Sequence, residues 1–346
     1  MNKLSKKRIE WVDVAKAIGI MAVVLGHSLT VHGTLYHFLY WWHMPIFFIM
    51  GGFFLRPVKP GQWLTFFKKR VFPLLISYFF CGTILVIASH FFRNESWKYT
   101  MFYFVRLVYG GRVLNHYTSV FWYINVYLLA LVFVTFLITY IKNREYLIIA
   151  GFISLIIGTS YKHIHFLNWK YTPWDFDVAL IVAFFVIFGY LYFKNIQKIV
   201  KDLWIIIPSA MITCWLIFMQ HADKFNFGFF LKSRLIHASY HHIPLSRVSY
   251  ITIIPIMVSI VVFSFCYFLS EYTPHFLVHF LQVIGQQTLG IMYLHKAFLD
   301  ILGQIGIQSP YVQTFFALVT SFILSYIYMY FLNRIRLSKM NKVARE

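Results

Sequence analysis

The chain has 346 residues, 60% of them hydrophobic and only 12% charged, with a mean hydropathy of +0.68. A water-soluble domain of this size needs far more surface charge, so the composition excludes one and makes lipid the solvent. The formal charge of +20 is spread between apolar runs rather than gathered on one face, which argues against a nucleic-acid partner.

Ten apolar runs are long enough to cross a bilayer, which takes roughly 17–25 residues of helix. They cover 14–32, 38–55, 71–91, 118–140, 146–161, 176–194, 203–220, 249–270, 280–301 and 311–332. The expectation is an all-α, polytopic bundle of about ten transmembrane helices, forming one domain over 1–346 with no appended soluble domain. The first run lacks a small-residue cleavage site and is expected to be retained.

That first run, within "IEWVDVAKAIGIMAVVLGH", carries polar groups that lipid does not tolerate. Lys16 and His27 are eleven residues apart, three helical turns, so they share a face and lie roughly 17 Å apart along the axis. Asp13 falls within about 40° of His27 and one turn from Lys16, close enough for an ion pair. The second run, "YWWHMPIFFIMGGFFLRP", holds Trp41, Trp42 and His43, with His43 about 18 Å before Leu55. His27 and His43 therefore reach one depth on neighbouring antiparallel helices.

The third run opens on "FFKKRVFPLLISY", with Lys68, Lys69 and Arg70. Topology alone accounts for such charge, but beside Lys16 it is a candidate clamp for an anionic ligand such as phosphate. The fourth run carries Trp122 and Asn125, and the sixth follows "TPWDFDVAL" with Trp174, Asp175 and Asp177. With Trp41 and Trp42 these read either as an aromatic belt or as a sugar site. In the second case flat rings meet C–H faces and the Asp177 carboxylate meets hydroxyls. The ninth run, broken by "GQQTLG", brings a third histidine, His295, to the same depth.

Thirteen of the 15 histidines fall in the outer half, among them His116, His163, His165, His221, His237, His241 and His242. No Cys or Glu completes a ligand set, so no metal is expected and these segments read as solvated, aromatic-rich loops. Cys81, Cys214 and Cys266 lie within apolar runs as small core residues. Nineteen of the 31 Lys and Arg fall in the terminal and even-numbered segments, Lys3, Lys6, Lys7 and Arg8 included. This bias places both termini in the cytoplasm of a multi-pass, plasma-membrane protein.

Taken in order, "WVDVAKAIGIMAVVLGH", "HMPIFFIMGGFF", the basic entrance to the third run, "FWYINVYLLAL", "DVALIVAFFVIFGYLY" and "IGQQTLGIMYLH" resemble the membrane-bound acyltransferase 3 family. Within it they resemble the fucose 4-O-acetylase-like branch. The resemblance covers most of the chain. It implies about ten helices and transfer of an acyl group, usually acetyl from cytoplasmic acetyl-CoA, to a sugar at the outer face. The acceptor would be a glycan or lipid-linked saccharide. His27 matches the family's essential histidine, Lys16 its basic position three turns away, and Arg70 the first arginine of an Arg-x-x-Arg motif tied to the donor. The second arginine is Pro73 here, so either Lys68 and Lys69 substitute or the donor site differs.

The resemblance and the residues together imply a route for the donor. Lys16, Lys68, Lys69 and Arg70 would hold the CoA phosphates, with Asp13 orienting Lys16. The pantetheine arm would run along the Lys16–His27 face, with His27 as general base or acyl carrier and His43 or His295 at the oxyanion or acceptor. Trp41, Trp42, Trp122, Asn125, Trp174 and Asp177 would receive the sugar. Three other readings compete: an O-succinyl or other acyl transferase, an exporter of polysaccharide precursors, and an export or sensing protein without catalysis.

Overall fold

In lipid the backbone must satisfy its own hydrogen bonds, so the apolar runs become helices. The computed structural model describes residues 8–29, 31, 33–164, 171–233, 235–241, 243–244 and 247–343. Lys3, Lys6, Lys7, His32, His165 and His242 lie outside these, as does the side chain of His163. The helices are α1 (Glu10–Ser28), α2 (Thr34–Phe53), α3 (Trp63–Phe92), α4 (Trp97–Tyr109), α5 (Trp122–Tyr140) and α6 (Arg144–Ile164). They continue with α7 (Phe176–Ile199), α8 (Leu203–His221), α9 (Arg247–Tyr272), α10 (His275–Gln286), α11 (Thr288–Gln304) and α12 (Pro310–Val343).

Among the described residues, seven helices are long and apolar enough to cross a membrane: α1, α3, α5, α7, α8, α9 and α12. The other expected runs are helical too. α2 has 20 residues but includes His37, Trp41, Trp42, His43 and Pro45. α6 has 21 residues where a short run was expected. The ninth run is split at Gln287 into α10 and α11, at the polar interruption noted in the sequence.

α1 sits at the centre, packed by α2, α9, α10, α11 and α12. α2 packs in turn on α7, and their backbones meet at two glycines. A Cβ on Gly52 would overlap the Val186 carbonyl oxygen, and one on Gly189 would overlap that of Ile49. Small residues permit such close helix approach in membranes. Gly189→Leu should therefore abolish monodisperse protein after detergent extraction. Gly303→Leu, whose added Cβ has its nearest neighbour at 3.9 Å, should extract normally; equal yields would show that the α2–α7 crossing has slack.

The segment after α8 corrects the expectation of solvated loops. β1 (Phe225–Phe230), β2 (Leu235–Tyr240) and β3 (Ile243–Pro244) form an antiparallel sheet, with Phe225 opposite Tyr240 and Phe230 opposite Leu235. Alternation puts Phe225, Phe227 and Phe229 on one buried face. They pack on Trp41, Tyr250 and Phe185, and the Trp41 indole N–H donates to the Phe227 carbonyl at 2.9 Å. The sheet is thereby folded into the bundle, with its hairpin turn at residues 231–233.

Candidate active site

A cavity of about 1020 Å³ runs between α1, α2, α3, α5, α11 and the hairpin turn. Lys16, Lys69 and Arg70 line one end; His27, His43, His295, Arg112 and Lys232 line the other. Between them the wall is mostly apolar, with Ile20, Val23, Met44, Met50 and Leu131. The Lys16–His27 stripe inferred from helical spacing therefore faces this corridor.

At the basic end Lys16 donates to Asp13 at 2.9 Å, and Arg8 pairs with the other Asp13 oxygen at 3.3 Å. Asp13 itself is buried and does not line the corridor. Residues Phe67–Val71 of α3 form a π-helical turn, in which the Phe72 N–H reaches back to the Phe67 carbonyl. Pro73 has no N–H to offer Lys69's carbonyl, and a wider turn accommodates that loss. Lys69 and Arg70, both in this turn, line the corridor, whereas Lys68 does not.

Three histidines from three helices meet at the hairpin end. The His27 and His295 rings lie 5.4 Å apart, centroid to centroid, with 30° between their planes. His43 Nδ1 lies 2.6 Å from the Leu39 carbonyl, and His295 Nδ1 lies 2.9 Å from that of Ile291. A carbonyl only accepts, so each Nδ1 carries hydrogen, and in the neutral ring Nε2 keeps its lone pair. Both rings thus offer acceptors to the site. His295 Nε2 has no hydrogen-bond partner among the described residues, whereas His27 is half-buried at the cavity wall.

Of the residues expected to receive a sugar, only Trp122 lines the corridor. Trp41 is committed to β1, and Trp42 is buried in the core. Asn125 accepts from the Gly111 N–H at 3.0 Å, and Trp174 donates to the Val108 carbonyl at 3.0 Å. Asp177 takes a bidentate pair from Arg112 Nη2, both at 2.8 Å, and a hydrogen bond from Thr172; Asp175 takes Arg112 Nε at 2.8 Å. The guanidinium and both carboxylates are almost fully buried. Removing one partner of such a pair leaves the other charge unpaired, at a cost of about 3–5 kcal/mol. Arg112→Ala should therefore lower the melting temperature strongly in detergent, and an unchanged melting curve would deny the cluster a structural role.

The sequence did not single out Lys232, Arg112, Tyr36, Tyr40 or Phe230, all of which line the cavity. The alternation of "FNFGFF" was the available signal for a strand. Lys232, at the hairpin turn, donates to the carbonyls of Leu114 at 3.2 Å and Ser119 at 2.7 Å. Burial pulls its ammonium down to about 8.

A helical bundle that carries cations into one end of an internal corridor and imidazoles at the other can bring an anionic carrier and an acid–base group into one chamber. Residues 9–330 match the family model described as an acyltransferase domain, and the chain belongs to this acyltransferase 3 family. It is a multi-pass membrane acyltransferase. Neither the curated proteins nor the solved structures contain a match.

Proposed function

We propose that this acyltransferase is an O-acetyltransferase of the fucose 4-O-acetylase-like kind. It moves acetyl from cytoplasmic acetyl-CoA to a sugar hydroxyl of a cell-surface or capsular polysaccharide or its lipid-linked precursor. The supporting observation is the continuous corridor that joins Lys16, Lys69 and Arg70 to His27. With the basic end facing the cytoplasm, as the Lys/Arg bias favours, the CoA phosphates meet Lys16, Lys69 and Arg70. Arg presents paired donors and Lys a point charge.

The pantetheine arm then lies along the apolar middle, and the thioester reaches the histidines. His27 takes the proton of the sugar hydroxyl as general base, and the oxygen attacks the acetyl carbonyl. The C–S bond breaks, and the CoA thiolate leaves with the proton held by His27. The His295 ring lies beside that of His27 and orients it, and His43 Nε2 accepts from a second hydroxyl of the sugar.

The test is mass analysis of surface polysaccharide from cells with and without the gene, paired with purified protein and radiolabelled acetyl-CoA. A difference of one acetyl per repeat unit, with label transferred in vitro, is the expected result. Substrate moved across the bilayer without covalent change would assign an exporter instead, and a larger mass step would assign another acyl group.

A further inference from the structure

The hairpin end of the corridor differs from the basic end in charge. Arg112 is matched by Asp175 and Asp177, and Lys296 by Asp300 at 2.7 Å. Lys232 brings the Arg112 cluster to zero net charge, and Asp175 acts on it electrostatically. Among the described residues, a ligand carboxylate or phosphate entering here would therefore meet no net positive charge, and burying one without a partner is costly.

The apolar surface at this end is aromatic. Phe230, at the end of β1, stacks on Tyr36 with 5.6 Å between centroids and 25° between planes, and lies 4.9 Å from Tyr40. Tyr40 stands edge-on to His43 at 4.5 Å. All three rings line the cavity and are only half-buried. A pyranose has an apolar C–H face suited to such rings, with hydroxyls at its rim. Lys232 has a third N–H beyond those given to Leu114 and Ser119, and it lines the same chamber. An ammonium donor reads ring and hydroxyl oxygens.

We infer that Tyr36, Tyr40 and Phe230, with Lys232 at the hairpin turn, form the acceptor subsite, and that it takes an uncharged pyranose in preference to a uronic acid or sugar phosphate. The sheet supplies part of the wall of this subsite, which explains why β1 is buried in the bundle. That the bound sugar is then acetylated rests on the acetyl-transfer reading; the subsite itself does not.

Protein in nanodiscs is titrated with methyl α-glucopyranoside and with methyl α-glucuronide, and binding is read by saturation-transfer NMR. The expected result is binding of the neutral glycoside at least tenfold tighter than the uronide. Phe230→Leu keeps bulk but removes the ring, and should weaken the glycoside at least tenfold; Phe230→Trp should retain it. Monodispersity and melting temperature of each variant confirm folding. A uronide bound equally or better, or Phe230→Leu without effect in folded protein, overturns the inference. Glycoside binding that follows this pattern in a protein unable to transfer acetyl would discard the enzyme reading and leave the subsite standing. Acetyl transfer with glycoside binding indifferent to Phe230 would do the reverse.

Discussion

His27→Ala should lower acetyl transfer by about 10²–10⁴-fold, the usual worth of a positioned general base, while yield and melting temperature stay near those of the parent. The loss falls on chemistry because His27 is placed at the wall of a cavity rather than in packing. Among the described residues it makes ring contact with His295 and no hydrogen bond. Its removal therefore leaves no buried partner unsatisfied, unlike removal of Arg112. The measurement is initial rate with radiolabelled acetyl-CoA in detergent or nanodiscs. His295→Gln should give a smaller loss, since the orienting ring contact is altered while the base remains. A His27→Ala rate within tenfold of the parent would remove the residue from the mechanism.

The second large effect is expected at the donor end. Lys69→Ala and Arg70→Ala should each raise the KM for acetyl-CoA roughly 10- to 150-fold, because a hydrogen bond to a charged group contributes about 1.5–3 kcal/mol. kcat should hold, since phosphates far from the reacting carbonyl are bound alike in ground and transition states. Lys68→Ala is the informative control: it removes the same charge from the same turn, but Lys68 does not line the corridor. If Lys68→Ala matched Lys69→Ala, bulk positive charge rather than placement would set donor affinity. Pro73→Ala should produce a milder rise in KM, because restoring the N–H allows an ordinary helical turn and swings Lys69 aside.

Pro73 shows how a departure from a motif can carry its own remedy. In the string of letters it is a missing arginine. In three dimensions the same residue favours the π-helical turn that carries Lys69 and Arg70, both of which line the corridor. Linear spacing cannot reveal this, because a motif comparison counts side chains and not the turn of backbone that a proline favours.

The all-α membrane bundle, the family, and the common face of Lys16 and His27 were legible in the sequence. The bundle and the shared face depend on local physics, run length against bilayer thickness and 100° of turn per residue, whereas the family was legible through the resemblance of its motifs. The Asp13–Lys16 pair was legible from the same helical turn, being one turn of one helix, and it is formed at 2.9 Å. The hairpin and α4 were not foreseen, since they lie in segments read only as loops. The aromatic residues assigned to a sugar were chosen by type and depth. Trp41, Trp42, Trp174 and Asp177 have that type and depth, yet their partners come from β1, the core, α4 and Arg112.

By itself, then, the sequence determined that this protein lives in lipid, that its helices carry a charged and imidazole-bearing stripe, and which family it joins. The first two follow from periodicity and hydropathy, which act along the chain, and the family from the resemblance of its motifs. Only the tertiary structure decided which polar groups share the chamber and which are spent on each other. That choice depends on contacts between residues dozens to hundreds of positions apart, such as Lys232 with Leu114 and Arg112 with Asp177, and no local rule ranks such partners.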